Sequence, residues 1–282
     1  MRLPYLLLLF FALLSVNSEG QIKKKKDIPY ILLSHKSFDT QRHRLDVYYP
    51  ADTSAKKDVL VFIHGGSWQG RKKDSFRYIG RIMAKKGFVT VLVNYRLAPK
   101  VKYDLIAEDC ARAVSWVYKN ISSYGGNQDK ITVSGHSAGG HLAAYISIGN
   151  TFQKLNLKNP VYKTILIDAA GLDMYSYFRE YNNKYSRSLF TVFTANPDQW
   201  KAASPIYVVQ SGIKIPFLIL TGSKTFPAIL KSSSDFHAKM KENGAVADYQ
   251  VIKGKKHVGM ISQLLFSGNK VYNIMISFIK AD

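Results

Sequence analysis

The chain has 282 residues, 46% of them hydrophobic and 21% charged, which excludes a disordered polymer and suffices for one large globular domain. Its 40 Lys and Arg against 19 Asp and Glu give a net charge of +21. The bases are scattered along the sequence, so they describe a solvated cationic surface and not an arginine-rich or aromatic-basic block that reads nucleic acid.

Met1-Arg2, the apolar run Leu6 to Leu14 and the small residues Val16-Asn17-Ser18 form a secretory signal pattern over residues 1–20. The run is too short to cross a bilayer comfortably, although a retained anchor is the competing reading. The expectation is a secreted or periplasmic domain over 21–282, entered through the basic run Lys23 to Lys26. Export also argues against nucleic acid as a partner, and leaves an anionic polysaccharide or membrane surface. The single cysteine, Cys110, excludes an internal disulfide and reads as a packing residue, since Asp109 beside it disfavours a thiolate.

Ile28 to Leu33 and His43 to Tyr49 read as two early strands. Asp58 to Ile63 is a continuous β-branched and aromatic run, the pattern of a strand buried on both faces, and it ends in His64-Gly65-Gly66-Ser67-Trp68. A helix over Ser75 to Lys86, a strand over Phe88 to Tyr95 and a helix over Tyr103 to Asn120 follow. Lys130 to Val133 reads as a strand, Ala138 to Ile148 as a helix and Lys163 to Leu172 as a strand. Residues 174–203 form an aromatic-rich cap insertion. Pro216 to Thr221 and Tyr249 to Ile252 are the last strands, and Ala228 to Asn243 and Val271 to Ile279 the last helices. Strands alternating with helices predict an α/β fold: a mostly parallel eight-stranded sheet, helices on both faces, ligand sites at the carboxyl ends of the strands.

Three of those ends carry chemistry. Gly135-His136-Ser137-Ala138-Gly139 between strand and helix has the context of a nucleophile elbow, which exposes Ser137 above the sheet. Taken alone, the pentapeptide is equally a Gly/Ser turn. A serine hydroxyl needs a base, and His257 after the last strand stands where this architecture places one. The Gly65-Gly66 turn and the amide of Ala138 are the candidate oxyanion donors, each such donor worth about 3–4 kcal/mol of barrier. His64 reads as a brace for that loop. Trp68 and the cap aromatics are candidates for an apolar pocket, or equally for core.

His64 to Trp68, Asn94 to Pro99, Gly135 to Gly140, Ala203-Ser204-Pro205 and Lys256-His257, in this order, resemble the α/β-hydrolase superfamily. More narrowly, the resemblance is to its carboxylesterase/lipase-like and formamidase-like group with an His-Gly-Gly-x-Trp oxyanion loop. It implies an α/β-hydrolase fold and cleavage of esters, or in some members N-formyl amides, through an acyl-serine with no metal or organic cofactor. The group usually carries Gly-x-x-Asp after the strand corresponding to Phe217–Thr221. Here the sequence is Gly222-Ser223-Lys224-Thr225, so a neutral Thr225 occupies the usual acid position. Asp168 falls within the expected strand, which leaves Asp173, at its carboxyl end, as the alternative orienter of His257. The expected function is a small-ester hydrolase, slow for want of the usual acid. The alternatives are a non-catalytic homologue that binds a cell-surface or polysaccharide ligand, and an arylformamidase-type amidase.

Overall fold

The computed structural model describes residues 21–281, so the signal segment expected over 1–20 lies outside the described residues. The sheet has eight strands: β1 Ile22–Pro29, β2 Arg44–Pro50, β3 Lys57–Ile63, β4 Val89–Val93, β5 Gly126–His136, β6 Val161–Ile167, β7 Phe217–Gly222 and β8 Ala247–Ile252. Their spatial order is β1-β2-β4-β3-β5-β6-β7-β8. Pairing is antiparallel for β1/β2 and β2/β4 and parallel elsewhere. The predicted mostly parallel, eight-stranded α/β architecture is the one observed.

Helices α1 Arg77–Lys85, α2 Tyr103–Asn120 and α3 Ala138–Ile148 are the first three crossovers. A short α4 Thr151–Lys154 precedes β6. The cap contains α5 Met174–Glu180, α6 Lys184–Ser188, α7 Phe190–Phe193 and α8 Pro197–Ala202. The chain ends with α9 Pro227–Glu242, α10 His257–Ser262 and α11 Lys270–Lys280.

Alternate residues of each central strand point to opposite faces. Val59, Val61, Ile63, Val133 and Phe217 join one core with α2, α3, α9 and the cap. Leu60, Phe62, Ile165, Leu218 and Leu220 join the other with α1, α10 and α11. Both faces are therefore dry, which is why these strands read as unbroken apolar runs. Each fully buried aliphatic side chain contributes about 1.5–3 kcal/mol.

The first strand differs from expectation. It begins at Ile22 and takes in the whole lysine run, pairing Ile22 with Pro50 and Lys25 with Val47, and ends at Pro29. Leu32 and Leu33, placed in a strand by the sequence reading, are 75% and 64% exposed in the following loop. An edge strand needs no apolar face, and lysines along it keep it from pairing with another chain. Cys110 is fully buried, and desolvation, with Asp109 beside it, pushes its thiol well above the ordinary range.

The chain leaves β3 for β4 on one side and then returns across the sheet to β5 on the other. This reversal opens a crevice between the carboxyl ends of β3 and β5, where open α/β sheets place ligands. The loops that follow these two neighbouring strands carry Gly65-Gly66 and Ser137.

Candidate active site

Ser137 sits between β5 and α3 with φ 56° and ψ −122°, a strained left-handed turn that lifts the side chain off the sheet. The turn is held by its own backbone: Ser137 N–H donates to Ile167 O at 3.1 Å, and Ser137 O accepts from Gly140 N–H at 2.9 Å. Glycine is required on either side. A β-carbon at Gly135 would stand 2.2 Å from Gly139 C, and one at Gly139 would stand 2.0 Å from Ile63 O. Strand and helix backbones therefore touch where Ser137 emerges.

His257 opens α10 instead of lying in a free loop, and its side chain is 18% exposed. Its Nε2 is 2.9 Å from Ser137 Oγ. Its Nδ1 is 2.6 Å from Oδ2 of Asp168, which is fully buried. Nδ1 thus carries the proton it donates to the carboxylate, and Nε2 is left to accept from the serine hydroxyl.

The carboxylate facing His257 is therefore Asp168, and this corrects the sequence reading. Strand β6 stops at Ile167, and Asp168, whose N–H still donates to Leu220 O at 2.7 Å, follows it with φ 49°. Apolar residues on both sides of Asp168, Ile165 to Ile167 and Ala169-Ala170, conceal that break. Asp173, the expected alternative, instead caps α5 by accepting from Ser176 N–H at 2.9 Å. Thr225, in the usual acid position, does not bond His257; its hydroxyl donates to Asp168 Oδ2. Gly222 N–H donates to Oδ1 at 2.8 Å, so three donors converge on one carboxylate. They can meet because β6 pairs with β7, Ile167 opposite Leu220, which puts the two strand ends side by side.

Gly65 passes directly over the serine: a β-carbon there would lie 3.2 Å from Ser137 Cβ and 2.6 Å from His136 O. Gly66 has φ +127°, open only to glycine. The amides of Gly65, Gly66 and Ala138 donate to no acceptor among the described residues. For Ala138 this is the ordinary state of a first helical residue. His64 braces the loop, as expected: Nδ1 bonds Gly65 O at 2.8 Å, and the ring stacks on Tyr95 at 4.2 Å. Tyr95 O–H in turn donates to His64 O at 2.7 Å.

Two further histidines support the site and were missed as site residues in the sequence reading. The His136 ring lies tilted against His257, centroids 4.7 Å apart, and its Nε2 is 3.2 Å from His257 O, tying the segment that bears His257 to the elbow. Burial, with His257 beside it, lowers its pKa to about 3, so it adds no charge. His141 accepts from Trp68 Nε1–H at 3.2 Å and bonds Ala203 O through Nε2 at 2.8 Å. It thereby joins the loop after β3 to the end of the cap. Only the position of His136 inside the elbow pentapeptide hinted at such a role.

Ser137 and His257 open into a cavity of about 540 Å³. Trp68, Met174, Tyr177, Leu189, Phe226 and Ile229 are among its mostly apolar walls. Trp68 is thus a wall residue held by packing, 2% exposed. Of the cap aromatics, Phe178, Phe193 and Trp200 are buried in the core, while Tyr177, Tyr181 and Tyr185 face the cavity. Among the described residues there is no cluster of His, Cys, Asp and Glu able to hold a metal ion.

An isoprenylcysteine alpha-carbonyl methylesterase of Arabidopsis thaliana is 25% identical over 86% of this chain and 61% of its own length. A kynurenine formamidase of Danio rerio is 24% identical over 90% of this chain and 81% of its own. The chain spans about 50–61% of the length of the first curated esterases it matches. Among solved structures, the inhibited esterase B of Lactobacillus rhamnosis superposes with a TM-score of 0.76 over 92% of this chain and 86% of its own, at 20% identity. The BD-FAE family pattern matches residues 45–240, from β2 into α9 and across the whole site loop after β3, so the chain belongs to the BD-FAE family, within the carboxylesterase-like group of the α/β-hydrolase fold.

Proposed function

We propose that the protein is a serine hydrolase of small carboxylic esters. The observation that carries this reading is the continuous relay from Ser137 Oγ through His257 to buried Asp168, set beneath unengaged amides at the mouth of an apolar cavity. Ser137 Oγ attacks the ester carbonyl while His257 Nε2 takes its proton. Asp168 holds the tautomer and offsets the charge of the imidazolium. The carbonyl oxygen, now negative, is received by the amides of Gly65, Gly66 and Ala138. His257 returns the proton to the departing alkoxide, leaving an acyl-serine. It then activates a water that releases the acid. Each step uses this chain's own residues and needs no cofactor.

The test is hydrolysis of p-nitrophenyl acetate and butyrate by the purified protein beside Ser137→Ala. Turnover lost in the variant supports the reading; equal rates in both remove it and favour a ligand-binding homologue. A second reading, N-formyl amide hydrolysis, is favoured by the likeness to the kynurenine formamidase over 90% of the chain. Initial rates on an aryl formamide and a matched acetate ester separate the two. The export of the protein is inferred from residues 1–20 alone. A mature N-terminus near Glu19–Gln21 after expression in a secreting host supports it, and an intact Met1 on protein retained in the cell opposes it.

A further inference from the structure

The mouth of the cavity gathers three of the large apolar or aromatic side chains that the surface exposes. Phe226 is 60% exposed, Val258 68% and Tyr185 55%, although Phe226 and Tyr185 also line the cavity and Val258 adjoins His257. Large apolar side chains left exposed together at the mouth of a cavity mark an interaction surface. The segments that bear them are clipped together. Gly254 N–H donates to Ser223 Oγ at 2.8 Å and Lys224 N–H to Lys255 O at 2.9 Å, so 222–226 and 253–258 form one ledge.

That ledge is also cationic. Residues 181–189, 222–232 and 253–262 contain seven bases (Lys184, Arg187, Lys224, Lys231, Lys253, Lys255 and Lys256) and no acid. Lys231 is paired with Asp235 on α9, while the other six make no ion pair among the described residues. Two acids stand beside these segments, Glu180 at the end of α5 in the cap and Asp173 in the cavity wall, so the seven bases leave the rim with a net positive charge.

We infer that this rim docks the mouth of the cavity on an anionic lipid surface, with Phe226 and Val258 entering the acyl boundary and the lysines meeting the headgroups. Apolar tips ringed by lysines are the chemistry of interfacial binding, in which burial of nonpolar area and attraction to anionic lipid add. An aliphatic side chain such as Val258 finds no comparable partner on a hydrated polysaccharide. The substrate delivered is then an ester held in the lipid layer, which enters the cavity without crossing water. This last point rests on the ester-hydrolase reading; the docking itself does not.

The test is sedimentation of the full chain with vesicles of phosphatidylcholine alone and of phosphatidylcholine with phosphatidylglycerol, alongside p-nitrophenyl butyrate turnover in solution. Two charge-reversed pairs are compared in the same chain, so that residues 1–20 are common to all. Lys224→Glu/Lys253→Glu alters the rim, and Lys119→Glu/Lys154→Glu alters exposed lysines on α2 and α4. The proposal expects the rim pair to lower binding to anionic vesicles by about tenfold or more, and the distant pair by less than about threefold. Val258→Ser lowers binding further, and soluble turnover is unchanged in both lysine pairs. Equal losses from the two pairs would reduce the effect to net charge and overturn the proposal. So would wild-type protein that stays in the supernatant while heparin retains it. Loss of soluble turnover in the wild type, with docking intact, would sink only the ester reading.

Discussion

Replacing Asp168 by Asn is the sharpest test of the site, because the three donors around the carboxylate leave an amide no good orientation. Oδ2 faces His257 Nδ1 at 2.6 Å and the Thr225 hydroxyl, and Oδ1 faces Gly222 N–H at 2.8 Å. If the new NH₂ takes the Oδ2 place, it meets His257 Nδ1, which must then present a lone pair. The proton moves to Nε2, and the ring can no longer accept from Ser137. If NH₂ takes the Oδ1 place, it opposes the Gly222 N–H, two donors facing each other in a site with no solvent. Either way the tautomer or the loop suffers, and no carboxylate charge remains to balance the imidazolium. Corruption of the acid in a serine triad costs about 10⁴-fold in turnover, equivalent to about 5.4 kcal/mol of barrier. The assay is kcat/KM on p-nitrophenyl butyrate, with the thermal midpoint as a folding control. Asp173→Asn is the comparator. Its oxygen caps α5 and touches no reacting group, and Asn caps nearly as well as Asp, so turnover within about threefold of wild type is expected. A folded Asp168→Asn that keeps more than a tenth of the wild-type rate would refute the assignment of Asp168 as the acid.

Three other outcomes are expected. Because Thr225 and His257 reach the same Asp168 oxygen, Asp168→Asn/Thr225→Asp restores at least about tenfold over Asp168→Asn, since a carboxylate from β7 offers His257 the same charge; no recovery in a folded double variant would argue that the two positions are not interchangeable. His141→Leu strands the Trp68 indole N–H and the Ala203 carbonyl, each costing about 1–3 kcal/mol when buried without a partner, and a chemical-denaturation midpoint unchanged from wild type would contradict it. Burial lowers His64 and His141 to about 4 and His136 to about 3 from the ordinary 6.5, so the unfolded chain takes up protons first on acidification. Their effect is absent above about pH 6.5, and below it stability falls by about 1.4 kcal/mol per histidine per pH unit until each folded value is reached, so a urea midpoint that stays flat from about pH 7 to about pH 5 would refute the sign.

The turn at Ser137, the glycine loop and the place of His257 after the last strand were legible in the sequence because each depends on local chemistry. Gly135 and Gly139 report a backbone contact, Gly65-Gly66 a loop pressed on Ser137, and His257 the end of a run that must be the last strand. The first strand was misplaced because its lysines carry no alternation to read, and an edge needs none. His141 was invisible for a different reason. Its partners are a tryptophan 73 positions earlier and a carbonyl 62 positions later, and no periodicity encodes such a meeting.

The carboxylate that faces His257 was missed because it was sought at a position in the sequence, whereas the fold specifies a point in space. What His257 Nδ1 requires is a carboxylate at the carboxyl end of the sheet on the far side of β5 from β3. Strands β6 and β7 both end there, paired Ile167 to Leu220, so a residue just beyond either one can reach the ring. Here the residue beyond β6 turns out of the strand through a positive φ and carries the carboxylate. The residue beyond β7 keeps only a hydroxyl, and that hydroxyl serves the neighbour's carboxylate. Thr225 is therefore no sign of a broken site. A neutral donor suits that position beside Asp168, since the Thr225 hydroxyl gives the carboxylate a hydrogen bond where a second carboxylate would repel it.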